Sequence, residues 1–179
     1  MIGVAIVAFS WLWLQWTHEA GHVIAGLVTG GEIERVVLDP RTFSRTDFAS
    51  NPSPLITVWG GPVIGCLLGA GLPHLVSCRL RDRRAIGMLI AAAVLLGNGA
   101  YIGLGAVFPV GDAEVMRDAG TPAWALAVFG VACVLPARML AARSITSIRA
   151  SEHRWASAAP TLGVLTGAMA IAGWLFFHA

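Results

Sequence analysis

The sequence predicts an all-α polytopic membrane protein with about five transmembrane helices and a short β-like segment after the first helix. Of its 179 residues, 56% are hydrophobic and only 12% are charged, whereas about 25% of the residues of a soluble domain are charged. A helix needs about 20 apolar residues to cross a bilayer. Five stretches have that length, at 2–29, 55–77, 85–108, 121–142 and 158–178. We therefore expect residues 1–179 to form a single membrane-embedded domain.

The charged residues indicate a topology and exclude one class of partner. All twelve basic residues are arginines, the net charge is only +2, and no basic stripe of the kind that binds nucleic acid is present. Arginines cluster at 78–84 and at 137–157, which share a membrane face if the chain has five spans. By the positive-inside rule that face and the N-terminus are cytoplasmic, and the connection at 30–54 is extracytoplasmic. We expect an integral multi-pass protein of a bacterial cell membrane, in contact with the lipid bilayer.

The first apolar stretch contains three ionisable residues, in the segment THEAGH at 17–22. On a helix, His18 and His22 project from one face about one turn apart, so that two imidazole nitrogens can bind one Zn²⁺. Glu19, beside the first histidine, is placed to take a proton from water that the metal activates. Ionisable groups inside a membrane are costly and by default mark a functional site. The sequence therefore predicts a zinc site in this helix.

The connection after this helix has the pattern of a short β element. The segment GGEIERVVLDP at 30–40 opens with two glycines, which suit a helix C-terminus. It continues with the β-branched residues Ile33, Val36 and Val37 and closes at a proline, so we expect a short strand or hairpin. The segment ASNPSP at 49–54 then breaks the structure before the second span.

The second and third spans contain features suited to close contacts. WGGPVIG at 59–65 lies in the half of its span nearest to THEAGH, and its glycines let another helix or a peptide approach. This segment, which includes Gly61 and Pro62, has two alternative roles: packing against the first helix, or direct contact with substrate. For Asn98 we consider the same two alternatives: a hydrogen bond to another helix, or a hydrogen bond to the backbone of a substrate.

A catalytic zinc takes three protein ligands and keeps an open position, so a third ligand is needed. The first span ends, the second starts and the third ends on the same membrane face, and THEAGH lies in the half of the first span nearest that face. Asp112, in FPVGDAEVM at 108–116, follows the third span directly and therefore lies at a compatible depth. Glu114 is its close competitor; the weaker candidates are Asp39, Asp47 and Asp118.

Together these motifs resemble the site-2 protease family, the M50 intramembrane zinc metallopeptidases, and most closely its compact M50B-like branch. The resemblance spans residues 10–118, whereas 119–179 adds two transmembrane helices without a matching motif. It implies hydrolysis of peptide bonds within or beside the membrane. His18, His22 and Asp112 would bind zinc, and Glu19 would activate water and then protonate the leaving amine. The segment 32–38 would pair with an unwound substrate, which is a sound way to hold a peptide extended.

The chain departs from the family pattern at three points. The motif of the second helix has Gly65 where the family has asparagine, and the third motif reads Gly111 then Asp112, in reverse order. The third departure is orientation, because the family keeps its site nearer the cytoplasm and the arginine count places it outside. The orientation stays open at this stage.

The expected function is that of an intramembrane zinc metalloendopeptidase acting on membrane-spanning or membrane-associated proteins. No regulatory domain is evident within the chain, so we expect substrate shape or a regulatory membrane partner to control it. One alternative is a catalytically inactive family member that acts as a membrane binding or chaperone-like subunit. A small transporter or channel ranks lowest, because beyond the site the middle of the spans offers only Asn98 and a few hydroxyl groups as an ion path.

Overall fold

The computed structural model describes residues 2–41, 43–79, 83–149 and 158–177. Within them the chain forms six helices and one β-hairpin, and the hairpin follows the first helix. In chain order the elements are α1 (Ile2–Val28), β1 (Glu32–Val37), β2 (Arg45–Ser50), α2 (Pro54–Arg79), α3 (Arg84–Leu104), α4 (Asp112–Asp118), α5 (Ala123–Arg149) and α6 (Ala158–Phe176). Arg81 and Arg154, which contribute to the arginine count, lie outside the described residues.

Four of these helices are long and apolar enough to cross a membrane: α2, α3, α5 and α6. The predicted fold class, a helical membrane protein with a short β element after the first helix, is confirmed. The prediction of five spans also counted α1. Its 27 residues give a length of about 40 Å, but its second half carries polar side chains at Gln15, Thr17, His18, Glu19 and His22. Polar and ionisable side chains are costly inside a bilayer, and α1 is not among the four helices named above.

Helix α1 packs against α2 through glycines, as expected for the segment WGGPVIG. A side chain at Gly21 would overlap the backbone of α2 at Gly60, and a side chain at Gly61 would overlap the imidazole of His22. A Cβ atom at Gly65 would lie 3.1 Å from the Cα atom of His18. The predicted close approach of this segment to the first helix is thus confirmed. It brings the backbone of α2 directly behind the two histidines.

The hairpin begins directly after α1, whose end is marked by Gly30 with a φ of 81°. Strands β1 and β2 pair antiparallel, with Val36 opposite Thr46 and Val37 opposite Arg45, and the ladder is irregular near Ile33. On the outer surface Asp47 bonds Arg35 and Arg45. Burial alone would raise the pKa of Asp47, but hydrogen bonds from the two arginines outweigh it and lower the pKa.

Helix α4 is short, and a small apolar core fixes its position. Ala113 and Met116 of α4 are fully buried together with Ile102 of α3 and Leu126 of α5, and Val58 of α2 completes the cluster. Since α4 has only seven residues, this burial, rather than helix propensity, holds it in place. As a result the first residue of α4, Asp112, lies beside α1.

Candidate metal centre

His18 and His22 lie side by side on one face of α1. Both are buried, with 8% and 6% of their surface exposed, and their Nε2 atoms are 3.1 Å apart. This is the arrangement expected for histidines four residues apart on a helix. The two Nε2 atoms therefore point toward a common position.

The other ring nitrogen of each histidine is bound to an oxygen atom. His18 Nδ1 lies 2.7 Å from Asn98 Oδ1, and His22 Nδ1 lies 2.9 Å from the carbonyl oxygen of Thr57. A carbonyl oxygen only accepts hydrogen bonds, so each Nδ1 carries the proton and donates it. Each Nε2 then keeps a free lone pair, which is how metal-binding histidines are oriented in proteins.

Asp112 completes the cluster from α4. Its Oδ2 atom is 2.7 Å from His18 Nε2 and 3.3 Å from His22 Nε2. With each Nε2 offering a lone pair, the two nitrogens and the carboxylate oxygen all converge as acceptors. A cation bound between them would satisfy all three.

Local backbone geometry presents Asp112 to the cluster. Gly111 has a φ of 57°, in the region that favours glycine, and a side chain there would overlap the hydroxyl group of Tyr101. The backbone N–H of Asp112 donates to that hydroxyl over 3.0 Å. The reversed order of Gly111 and Asp112 thus places a glycine where the backbone turns and a carboxylate where α4 begins.

Among the described residues, His18, His22 and Asp112 form a group that could hold a metal ion, with ligand atoms within 4.8 Å of one another. Zinc bonds of about 2.0–2.1 Å at tetrahedral angles place ligand atoms about 3.3–3.4 Å apart, and the observed separations are 2.7, 3.1 and 3.3 Å. Small side-chain rotations would therefore admit the ion. Glu114, the competing candidate, is exposed on α4 and is not in this group.

Glu19 is 2% exposed, next to His18 on α1. Its Oε2 atom accepts a hydrogen bond of 2.7 Å from the Thr46 hydroxyl of β2. The carboxylate lines the same cavity as the three metal-binding candidates. A buried carboxylate beside a metal position is the arrangement that general acid–base chemistry requires.

The cavity has a volume of about 840 Å³. Its walls come from α1, β2, the first turn of α2, the end of α3 and the start of α4, and most of its lining is apolar, with Trp11, Leu14, Phe43, Phe48 and Val115 among the residues. A cavity of this size and character can take a short peptide segment with apolar side chains.

The structure places the residues predicted to contact substrate in different surroundings. Of the hairpin, β2 contributes to the cavity lining, whereas Ile33, Val36 and Val37 of β1 do not; Val37 is almost fully buried. Gly61 lies against the ring of His22, and Pro62 is fully buried. Asn98 does line the cavity, with its side-chain oxygen bound to His18. Contact of these residues with substrate stays a prediction.

Sequence analysis did not assign three of the residues at the site: Thr46, Thr57 and Tyr101. Tyr101 could have been found, because it lies three residues after Asn98 and therefore on the same helix face. Thr57 acts through its backbone oxygen, for which side-chain identity gives no signal. Thr46 is 27 residues from Glu19, and its contact depends on how the hairpin folds back.

Comparison with known proteins identifies a family. Neither the curated proteins nor the solved structures contain a significant match to the chain. A family model described as Peptidase M50B-like matches residues 3–139, a range that includes THEAGH, the hairpin, the glycine-rich segment of α2 and Asp112. The resemblance to the site-2 protease family is thereby confirmed, and the protein is a membrane-embedded member of the M50B-like peptidase family.

Proposed function

We propose that the protein is a zinc-dependent intramembrane endopeptidase that hydrolyses peptide bonds of membrane-spanning or membrane-associated proteins. The observation that carries the proposal is the convergence of His18, His22 and Asp112 beside the buried carboxylate of Glu19, in one cavity. Family membership supports peptidase chemistry, and the membrane-spanning helices around the site support a substrate within the bilayer.

Zinc is the metal that best suits this donor set. Two imidazole nitrogens and one carboxylate oxygen are the ligands of many catalytic zinc sites, which leave one position open. Both Nδ1 atoms donate hydrogen bonds to oxygen atoms, so the two Nε2 atoms that would bind the metal are already oriented before it binds. When bound, zinc would lower the pKa of a water ligand and polarise the carbonyl group of the substrate.

The chain's own residues would then move the proton and hold the peptide. Glu19 would accept a proton from the attacking water and transfer it to the leaving amine, as one carboxylate can in both steps. A helix shields its carbonyl groups, so the substrate has to unwind locally before attack. The hairpin is suited to hold the unwound segment by strand pairing, and Ile33, Val36 and Val37 of β1 remain candidates for that contact.

The metal assignment is tested by measuring zinc in purified protein. We expect about one zinc per chain, and its loss in His18→Ala, His22→Ala and Asp112→Ala variants. Glu114→Ala is the matched control, since it removes a neighbouring carboxylate on the same helix that lies outside the cluster. Full zinc content in Asp112→Ala would contradict the assignment of Asp112, and loss in Glu114→Ala would then indicate Glu114 as the third ligand.

Activity is tested separately with Glu19→Gln, which keeps the size of the side chain and removes its ability to take a proton. We expect this variant to retain zinc and to lose cleavage of co-expressed single-span substrates. Membrane fragments that appear with the wild type and not with the variant would identify the natural substrate. If wild type and variant are equally inert against a broad panel, the result would favour the alternative, a catalytically inactive binding subunit.

A further inference from the structure

The second hairpin strand lies along the face of α1 that contains the candidate acid–base residue. Thr46 and Phe48, two residues apart on β2, point to the same side of the strand. Thr46 contacts Glu19, and the Phe48 ring fills the space that a side chain at Gly26 would take. Glu19 and Gly26 are seven residues apart, two turns along one helix face. The strand is therefore fixed to α1 at two points.

The Thr46 contact has a definite direction. The hydroxyl group of Thr46 donates a hydrogen bond to Glu19 Oε2 over 2.7 Å. The Glu19 side chain is almost fully buried, and a buried polar group depends on such a partner. The bond engages one carboxylate oxygen and restricts the rotation of the group, and so limits the directions in which the other oxygen can point.

Strand formation does not account for this hydroxyl group. Thr46 is paired with Val36 through the backbone ladder, and a valine at position 46 would have the same shape and an equal preference for β-structure. The hydroxyl group of Thr46 is therefore not needed for the hairpin to form.

We propose that Thr46 is a positioning residue that aims the carboxylate of Glu19 at the metal-bound side of the cavity, so that the β-hairpin is part of the hydrolytic centre. The inference rests on the proposed function, because it concerns the residue that would transfer the proton. The proposed contact gives β2 a second role in addition to any pairing with substrate. A displacement of β2 would also rotate the carboxylate of Glu19.

The test compares Thr46→Val, which removes the hydroxyl at constant shape, with Thr46→Ser, which restores it. Thr146→Val is the matched control, because it makes the same chemical change on α5, where the hydroxyl group donates to the carbonyl oxygen of Ala142 in its own helix. For each purified full-length variant, zinc content, thermal midpoint, kcat and KM are measured with a single-span substrate that the wild type cleaves and Glu19→Gln does not.

We expect Thr46→Val to lose about tenfold or more in kcat, a part of what general acid–base catalysis contributes, with KM and zinc content within twofold of wild type. Thr46→Ser should recover kcat to within about threefold, as expected for a shared hydroxyl donor. The proposal is overturned if Thr46→Val keeps full kcat, if only KM changes, or if serine gives no recovery.

These outcomes separate the inference from the function on which it rests. An active wild type and an inactive Glu19→Gln, together with an unaffected Thr46→Val, reject the role of Thr46 and leave the peptidase assignment intact. A wild type that cleaves nothing rejects both.

Discussion

Asn98 and Thr57 determine which nitrogen atom of each histidine is free to bind a metal. They accept hydrogen bonds from the Nδ1 atoms of His18 and His22, so both Nε2 atoms face Asp112. Loss of a partner of this kind typically costs about 10- to 100-fold in metal affinity, because the partner fixes the orientation of the ring. The family motif has asparagine where this chain has Gly65; here Asn98 of α3 supplies an amide oxygen to the site.

A change at Asn98 should therefore weaken metal binding without removing a ligand. We expect Asn98→Leu, which keeps the approximate shape and removes the acceptor, to lower zinc affinity by about 10- to 100-fold. Competition with a chromophoric chelator measures the change. Asn98→Asp is the matched control, because a carboxylate accepts the same hydrogen bond and should keep affinity near that of the wild type. Equal affinity in Asn98→Leu would show that the bond to His18 does not support the site.

At the residue scale, the sequence predicted that three residues would lie together because their spacing or depth is set by continuous helices. His18 and His22 follow from a four-residue spacing, and Asp112 follows from its place at the end of the third span. Thr46 could not be predicted, because its contact with Glu19 depends on the register of a hairpin whose ladder is irregular near Ile33. Local pattern rules do not determine that register.

At the scale of elements, the contact between α1 and α2 determines how firmly the histidines are held. Gly21, Gly60, Gly61 and Gly65 let the two backbones approach until no side chain fits between them. Close packing of this kind drives helix association in membranes, where no hydrophobic gain is available. The ring of His22 is thereby confined between its own helix and the backbone of α2.

Gly61→Ala should disrupt this contact. The added Cβ atom would overlap the imidazole of His22, and overpacking of this type costs about 1–3 kcal/mol. We expect a lower thermal midpoint in detergent and reduced zinc content.

Gly71→Ala is the control for this change. It lies on the same helix and has nothing within 4 Å of an added Cβ atom. It should leave both quantities unchanged or raise the midpoint slightly, since alanine favours helix over glycine by about 1 kcal/mol. Equal midpoints for the two variants would contradict the packing account.

The hairpin shows what a sequence pattern can and cannot predict about an element. The run of β-branched residues correctly predicted β structure at Ile33, Val36 and Val37. It gave no prediction for the strand at 45–50, whose sequence RTDFAS lacks such a run. Yet this second strand is the one that lines the cavity and contacts Glu19, because pairing with β1 and packing of Phe48 against Gly26 hold it there.

At the scale of the whole molecule, the hairpin, the end of α1 and the start of α4 meet at one end of the helices. The contact of Glu19 with Thr46 and that of His18 with Asp112 place all three elements together. The ends of α2 and α3 that carry Arg79 and Arg84 lie one full helix length away from this region. The arginine distribution and the family resemblance give opposite orientations for this arrangement.

Labelling of exposed cysteines in intact cells distinguishes the two orientations. Phe43 is 84% exposed in the hairpin connection, and Cys78 is an exposed native thiol at the opposite end of α2. By the positive-inside rule, we expect a membrane-impermeant thiol reagent to label Phe43→Cys in a Cys78→Ser background and not to label Cys78 in the wild type. The reverse pattern would place the end with the candidate metal centre in the cytoplasm, as the resemblance implies.

The central claim is that Glu19 and a zinc ion held by His18, His22 and Asp112 hydrolyse a peptide bond. Cleavage of a single-span substrate by purified zinc-loaded protein in water enriched with ¹⁸O tests it most directly, with mass spectrometry of the products. We predict one ¹⁸O atom in each new carboxyl terminus with the wild type, and no cleavage with Glu19→Gln at equal zinc content. Equal cleavage by the two proteins, or none by the zinc-loaded wild type, would contradict the claim.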